Sequence, residues 1–324
     1  MVSKRFNLVL KSKISSFNET INVDSDKSIS IRSFLISSIS QNISLIENAL
    51  ESQDVLSTIN CLKKLGVKIV KQNKSRYAVY GKGLGSLFIK KNRSLNFGNS
   101  GTLARLLIGI LSTTPGIEVK VFGDHSLNKR SMKKLIDILE EFGAFFYPKK
   151  KFNFPLKLIS SEMPIGVNYK AGVSAQLKSA VILAGLNSFG ITRIYEKQMS
   201  RDHTENMLLN NHKVIKIKKT NPKNILVSGK KYLNPVNVSV PGDPSSAAFF
   251  VALTLLNKNS KIKIKNVGLN PTRIGFFKIL KKHGGKIHFT NLRKKNNEVR
   301  GDISVQSSNI KPIKASKEYY VNST

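Results

Sequence analysis

Tryptophan is absent, cysteine occurs once, and acidic residues are scarce, 19 against 54 lysines and arginines in 324 residues. Each shortage excludes something. The single cysteine, Cys61, leaves no internal disulfide, and it falls in an amphipathic segment with Ile59, Leu62 and Leu65, where it serves as a small buried hydrophobe rather than a nucleophile. No apolar run approaches the roughly 18 residues that a bilayer crossing requires, and the opening residues Met1 to Phe6 lead into no apolar signal core. The sequence therefore reads as soluble, unprocessed and cytoplasmic. The histidines have no metal-ligand spacing, and nothing in the chain calls for a cofactor or metal.

The shortage of acids gives a formal charge of +35, which ordinarily points to nucleic acid, acidic membranes or anionic small molecules. Lysine far outnumbers arginine, and lysine, asparagine and isoleucine are abundant together, as codon drift toward A and T produces on solvated surfaces. The basic clusters Lys149 to Lys151 and Arg293 to Lys295 lie in no nucleic-acid motif, and no aromatic-interleaved strands accompany them. The excess charge therefore reads as mutational bias expressed on solvated surfaces, and nucleic-acid binding is the disfavoured reading.

What is present is a repeat. Amphipathic segments end at Gly66, Gly143 and Gly284, each followed by an apolar strand pattern, and a weaker copy runs from Glu205 to Ile217. The spacing of about 70 residues exceeds that of solenoids and marks domain-building units. Each unit continues with a second strand (Tyr77 to Tyr80, Leu156 to Ile159, Ile225 to Ser228, Asp302 to Gln306). After three of these comes a small-residue turn opening an almost wholly apolar helix: Gly98-Asn99-Ser100-Gly101-Thr102, then Ser174-Ala175-Gln176, then Pro241-Gly242-Asp243-Pro244-Ser245. A further helix of this kind, Ile29 to Ile39, opens at Asp26-Lys27-Ser28. Small polar residues there cap amide groups that have no partner within the helix, and such ends attract anions. One exposed helix start contributes only about 0.3–1 kcal/mol toward a charge, so several must converge on a multiply charged ligand. The fourth unit has its second strand, but the sequence stops at Thr324 where its helix is due, so that unit is expected to be incomplete.

Five stretches in this order resemble the 5-enolpyruvylshikimate-3-phosphate synthase family over nearly the whole chain: Asp26-Lys27-Ser28-Ile29-Ser30-Ile31-Arg32, Gly98 to Thr102, Gly123-Asp124-His125-Ser126-Leu127-Asn128-Lys129-Arg130, Ser200-Arg201-Asp202-His203-Thr204-Glu205, and Val240 to Ser246. The resemblance implies an α/β (α+β) fold of two domains, built from repeated βαβ-type units around buried helices. Residues 22–238 would form one complete three-unit domain. Residues 1–21 and 239–324 would form part of the second, which would be incomplete.

It also implies the substrates phosphoenolpyruvate and shikimate 3-phosphate and the transfer of an enolpyruvyl group between them. By match to the family's motifs, Lys27, Ser28, Arg32, Ser174, Ala175, Gln176 and Ser200 would hold shikimate 3-phosphate. Lys27, Asn99, Gly101, Arg130 and Gln176 would hold phosphoenolpyruvate. Lys27 would be the proton-transfer residue. The family's catalytic aspartate and glutamate would fall beyond Thr324, so this chain is expected to be weak or inactive by itself. Ile31, Ser131 and Asn206 stand where the family commonly has histidine, proline and arginine; none is a ligand position. Arg105 is expected to pair with a buried carboxylate, and His203 to fix a turn. The alternatives are the UDP-N-acetylglucosamine enolpyruvyl transferase of the same fold, which depends on a reactive loop cysteine, and a non-catalytic basic nucleic-acid-binding relative. A monomer with no membrane attachment is the expected state.

Overall fold

The computed structural model describes residue 9 and residues 13–316; the opening Met1 to Phe6 and Thr324 lie outside the described residues. The chain begins with β1 (Asn18–Asn22) and α1 (Lys27–Ile39), then β2 (Ile43–Glu47), α2 (Gln53–Lys64), β3 (Lys68–Asn73) and β4 (Arg76–Tyr80). A second unit holds β5 (Ser94–Asn96), α3 (Gly101–Ser112), β6 (Glu118–Phe122), α4 (His125–Asn128), α5 (Lys133–Glu140), β7 (Phe145–Tyr147) and β8 (Leu156–Ile159). The third has β9 (Asn168–Ala171), α6 (Ala175–Leu186), β10 (Ile191–Glu196), α7 (His203–Leu208), β11 (Ile215–Lys218) and β12 (Lys223–Ser228). Last come β13 (Val238–Ser239), α8 (Pro244–Leu256), β14 (Lys261–Gly268), α9 (Gly275–Lys282), β15 (Lys286–Lys295) and β16 (Glu298–Gln306).

Four four-stranded sheets result, with orders β13-β2-β4-β3, β5-β6-β8-β7, β9-β10-β12-β11 and β1-β14-β16-β15. All have the same arrangement: the first pair is parallel and the next two pairs are antiparallel. The repeat read from the sequence is therefore a repeat of sheet topology. Gly66, Gly143 and Gly284 all have positive φ (84°, 88° and 101°), the left-handed helix ending that glycine adopts without strain. The weaker copy lacks this glycine, and its helix α7 has only six residues.

The helices α1, α3 and α6 are apolar on nearly every face because they are surrounded. In α1 all but the first two residues are buried, in α3 all but Arg105, and in α6 nine of twelve. Gly109 of α3 lies so near α6 that an added Cβ would stand 2.7 Å from the Ala180 carbonyl, so a side chain there would force the two helices apart. One large hydrophobic cluster spans residues from Ile29 to Val240, and a second joins Ala247 to Val305 with Phe17, Ile21 and Val23. In contrast, α8 has the same composition but packs only one side on β14 and β16. Phe249 and Leu256 are 79% and 78% exposed on its other side.

Strand exchange ties the first and fourth units together. The strand β1 belongs to the fourth sheet but leads into α1 of the first unit; β13 belongs to the first sheet but leads into α8 of the fourth. The two crossings run side by side: Asp26 N–H donates to Pro241 O at 2.9 Å, and Asp243 N–H donates to Asp24 O at 2.8 Å.

Candidate active site

Each buried helix opens on a side-chain cap. Asp26 accepts from Ile29 N–H, Ser100 from Leu103 N–H, Ser174 from Leu177 N–H and Asp243 from Ser245 N–H. Each cap meets one of the helix-start amides that have no partner within the helix, and the remaining first-turn amides stay available to an acceptor.

The starts of α1 and α6 meet the turn after β10 in a pocket of about 190 Å³, lined by Ser28, Arg32, Val173, Ser174, Ala175, Gln176, Ser200 and Arg201. Two cations, four polar side chains and the first amides of α6 face one small space, an arrangement suited to an anion with several acceptor oxygens. Larger clefts of about 450 and 650 Å³ lie beside β7 and β8, and neither contains a residue of the five motifs. Six of the expected ligands, Ser28, Arg32, Ser174, Ala175, Gln176 and Ser200, share the pocket.

Arg32 is buried and held by three of its five donors: its Nε donates to Thr204 Oγ1 at 3.0 Å, Nη1 to Ser28 O at 3.1 Å and Nη2 to Ser179 Oγ at 3.3 Å. Burial lowers its pKa to about 10, against the pull of Asp26 and Glu205. Arg201 also drops to about 10, through burial first and then the repulsion of Arg273 and Arg32. Both remain cations at neutral pH. Sequence reasoning quoted Arg201 within its motif but did not assign it to the site. The available signal was its position directly after Ser200, on the same turn.

A second group lies at the start of α3. Arg130 Nη2 donates to Asn99 Oδ1 at 2.6 Å and to Ser126 Oγ at 3.3 Å. A Cβ on Gly101 would stand 2.9 Å from Arg105 Nη1 and 3.3 Å from Arg130 Nη1, so glycine is what lets both guanidiniums approach the helix start. Gln176 joins the two groups: it accepts from Arg105 Nη1 at 2.7 Å and donates to Thr102 Oγ1 at 3.0 Å. This corrects the expectation for Arg105, whose partners are the Gln176 side chain and the Gly101 carbonyl rather than a carboxylate. A half-buried arginine at a helix start finds carbonyl acceptors close by, and acids are too few in this sequence to supply one.

Lys27 stands outside the small pocket. It is half exposed, and its Nζ lies 2.9 Å from Asp54 Oδ2 on α2. His203 Nδ1–H donates to Glu298 Oε1 at 2.8 Å, tying α7 to β16, and Asn206 Nδ2 donates to the same oxygen at 3.1 Å. Arg273, which the sequence reading passed over, binds the caps of two helices, Asp26 Oδ2 at 3.3 Å and Asp243 Oδ1 at 3.1 Å. Its signal was hidden because its partners are 247 and 30 residues away in the chain. Cys61 is buried, its thiol raised to about 12 by burial against the pull of Lys64. A group so shielded is no nucleophile. No helix among the described residues is long and apolar enough to cross a membrane, and no cluster of metal-ligating side chains occurs among them.

Repeated sheets around buried helices, with cations gathered at the helix starts, define an enolpyruvyl-transferase-type α/β fold with a cationic cleft. The family model described as EPSP synthase (3-phosphoshikimate 1-carboxyvinyltransferase) matches residues 11–317, and the chain belongs to that family. It is 39% identical to a 3-phosphoshikimate 1-carboxyvinyltransferase of Zymomonas mobilis, over 90% of this chain and 65% of that protein. With the enzyme of the same name from Petrotoga mobilis it shares 40% identity over 94% of this chain and 70% of that one. The solved EPSP synthase of Acinetobacter baumannii superposes with a TM-score of 0.84 at 32% identity, covering 95% of this chain and 68% of that structure. The chain thus spans about two thirds of the length of the relatives it matches.

Proposed function

We propose that this chain binds shikimate 3-phosphate and phosphoenolpyruvate and takes part in enolpyruvyl transfer to the 5-hydroxyl of shikimate 3-phosphate, with release of phosphate. The single observation that carries the reading is the convergence of the α1 and α6 starts, Arg32 and the Ser200–Arg201 turn on one cationic pocket. A phosphate monoester brings a charge of about −1.5 to −2 at neutral pH, which two arginines and a set of hydroxyls and amides can match.

In this reading Ser28, Arg32, Ser174, Ala175, Gln176, Ser200 and Arg201 hold shikimate 3-phosphate. Asn99, Gly101, Arg130 and Gln176 hold phosphoenolpyruvate, with Gln176 touching both. Lys27, half exposed at the first turn of α1, leaves its partner Asp54 for the anionic substrates; it is the proton-transfer residue. The substrate hydroxyl oxygen attacks C2 of phosphoenolpyruvate as the methylene carbon takes a proton, and the adduct then eliminates phosphate. Residues 22–238 act as one domain and 1–21 with 239–324 as part of another, in a soluble cytoplasmic monomer.

The test is titration calorimetry of the chain with shikimate 3-phosphate, followed by an assay of phosphate release from phosphoenolpyruvate with and without it. Binding that Arg201→Met weakens at least tenfold is expected. Release is expected to require both substrates and to be slow, because each positioned acid or base contributes about 10²–10⁴ in rate and Lys27 is the one assigned here. Absence of shikimate 3-phosphate binding overturns the proposal.

A further inference from the structure

One turn into α6, directly behind the pocket, Lys178 is fully buried in an otherwise apolar helix. Its Nζ lies 2.7 Å from Glu196 Oε1 and 2.8 Å from Glu205 Oε1, and both carboxylates are themselves fully buried. A second cation, Lys223 on β12, reaches Glu196 Oε2 at 3.2 Å and Glu205 Oε1 at 3.7 Å. Two ammonium groups thus balance two carboxylates. Burying such a group is costly unless every charge is met, and replacing it with apolar residues of similar size is often neutral or stabilising. Stability by itself gives little reason to keep four charges here.

The connections of Glu196 supply a reason. The same Oε1 that meets Lys178 accepts from the Ser200 amide at 2.9 Å and from the Ser200 hydroxyl at 2.7 Å. Lys178 is on the helix whose start carries Ser174, Ala175 and Gln176; Glu196 ends β10; Ser200 and Arg201 form the opposite wall. Glu205, the other partner of Lys178, is on α7 beside Thr204, which accepts from Arg32. Three walls of the pocket are therefore pinned to one buried ammonium. When a ligand oxygen competes for the Ser200 hydroxyl hydrogen, rotation about the Cβ–Oγ bond can deliver it while the amide bond to Glu196 holds the residue in place.

We infer that Glu196, clamped by Lys178, is a positioning residue that fixes Ser200 and Arg201 against the start of α6 at the spacing a phosphate ester requires. The inference rests on the proposed ligand reading of the pocket. Its test compares Glu196→Gln with Glu205→Gln in the full chain. Both remove one charge from the same ammonium, but only the first touches Ser200.

Calorimetry with shikimate 3-phosphate and with inorganic phosphate gives the affinities, and hydrogen exchange of the Ser200 amide gives the position of the turn. The expected result is that Glu196→Gln weakens shikimate 3-phosphate binding at least tenfold and speeds Ser200 exchange several-fold. Glu205→Gln, which touches neither the Ser200 amide nor its hydroxyl, should leave Ser200 exchange unchanged. Equal effects of the two variants, or unaltered Ser200 exchange in Glu196→Gln, overturn the inference. Where Glu196→Gln does not fold, Glu196→Asp, which keeps the charge but retracts it from Ser200, carries the same expectations. A wild-type chain that binds neither ligand defeats the proposed function, while the exchange measurement still decides the role of Glu196.

Discussion

Arg273 Nη1 lies 3.3 Å from Asp26 Oδ2, and its Nη2 lies 3.1 Å from Asp243 Oδ1, so one buried guanidinium joins the caps of α1 and α8 where the chain crosses twice between sheets. Removing it would leave both carboxylates without their ion-pair partner. Arg273→Met is expected to cost about 3–5 kcal/mol, the usual penalty for breaking a buried pair from one side, read as a lower urea midpoint. A change within 1 kcal/mol, roughly the worth of an exposed pair, would show that the crossing is held by its backbone bonds alone.

The two aspartates should respond to pH in opposite senses. Burial works against ionisation of Asp26, but Arg273 and then His203 outweigh it, and its carboxyl is held below the ordinary 3.8. A lowered folded pKa gives stability that is present above the unfolded value and lost as pH falls through the folded one. Asp243 is raised, by burial and by the neighbouring Asp26 charge. Its ionisation therefore opposes folding as pH rises past 3.8. Asp26→Asn should destabilise the protein at neutral pH, with the difference from wild type shrinking below pH 3.8. Asp243→Asn keeps a capping side chain and should cost less at neutral pH than in acid; parallel urea titrations against pH separate the two.

Lys27 and Asp54 form a half-exposed pair, worth about 0–1 kcal/mol at most. Asp54→Asn should leave the melting temperature nearly unchanged and should not weaken shikimate 3-phosphate binding. Lys27→Met should weaken binding at least tenfold and abolish any phosphate release. If Asp54→Asn also removes binding, the pair positions Lys27 rather than merely holding it between ligands.

The exposed side of α8 predicts poor solubility. Phe249 and Leu256 are the most exposed large hydrophobic residues of a helix that has no charged side chain, and contiguous apolar surface of this kind drives association. Phe249→Glu with Leu256→Lys should reduce aggregation in light scattering without lowering the melting temperature, since neither side chain is part of the packed side. A sharp two-domain melt of a monodisperse wild-type chain would contradict this.

Cys61 should resist alkylation under native conditions and react only as fast as the chain unfolds, because burial raises its thiol to about 12. Rapid labelling would reopen the cysteine-dependent alternative.

Local sequence determined the units of this protein. Caps at Asp26, Ser100, Ser174 and Asp243, glycine endings at Gly66, Gly143 and Gly284, and helices apolar on all sides are short-range signals, and each produced the element expected of it. The six expected residues that line the pocket were legible for the same reason, since they occupy the capped starts or the adjoining turn. What tertiary structure alone decided was partnership across long separations. Arg105 found Gln176 instead of a carboxylate, Lys27 found Asp54, Arg273 found two caps, and Lys178 became the buried anchor of the pocket. A charged residue in a sequence carries no record of its counter-charge, because which groups meet depends on how sheets exchange strands and helices pack, and burial then fixes the choice by making every unmet charge expensive.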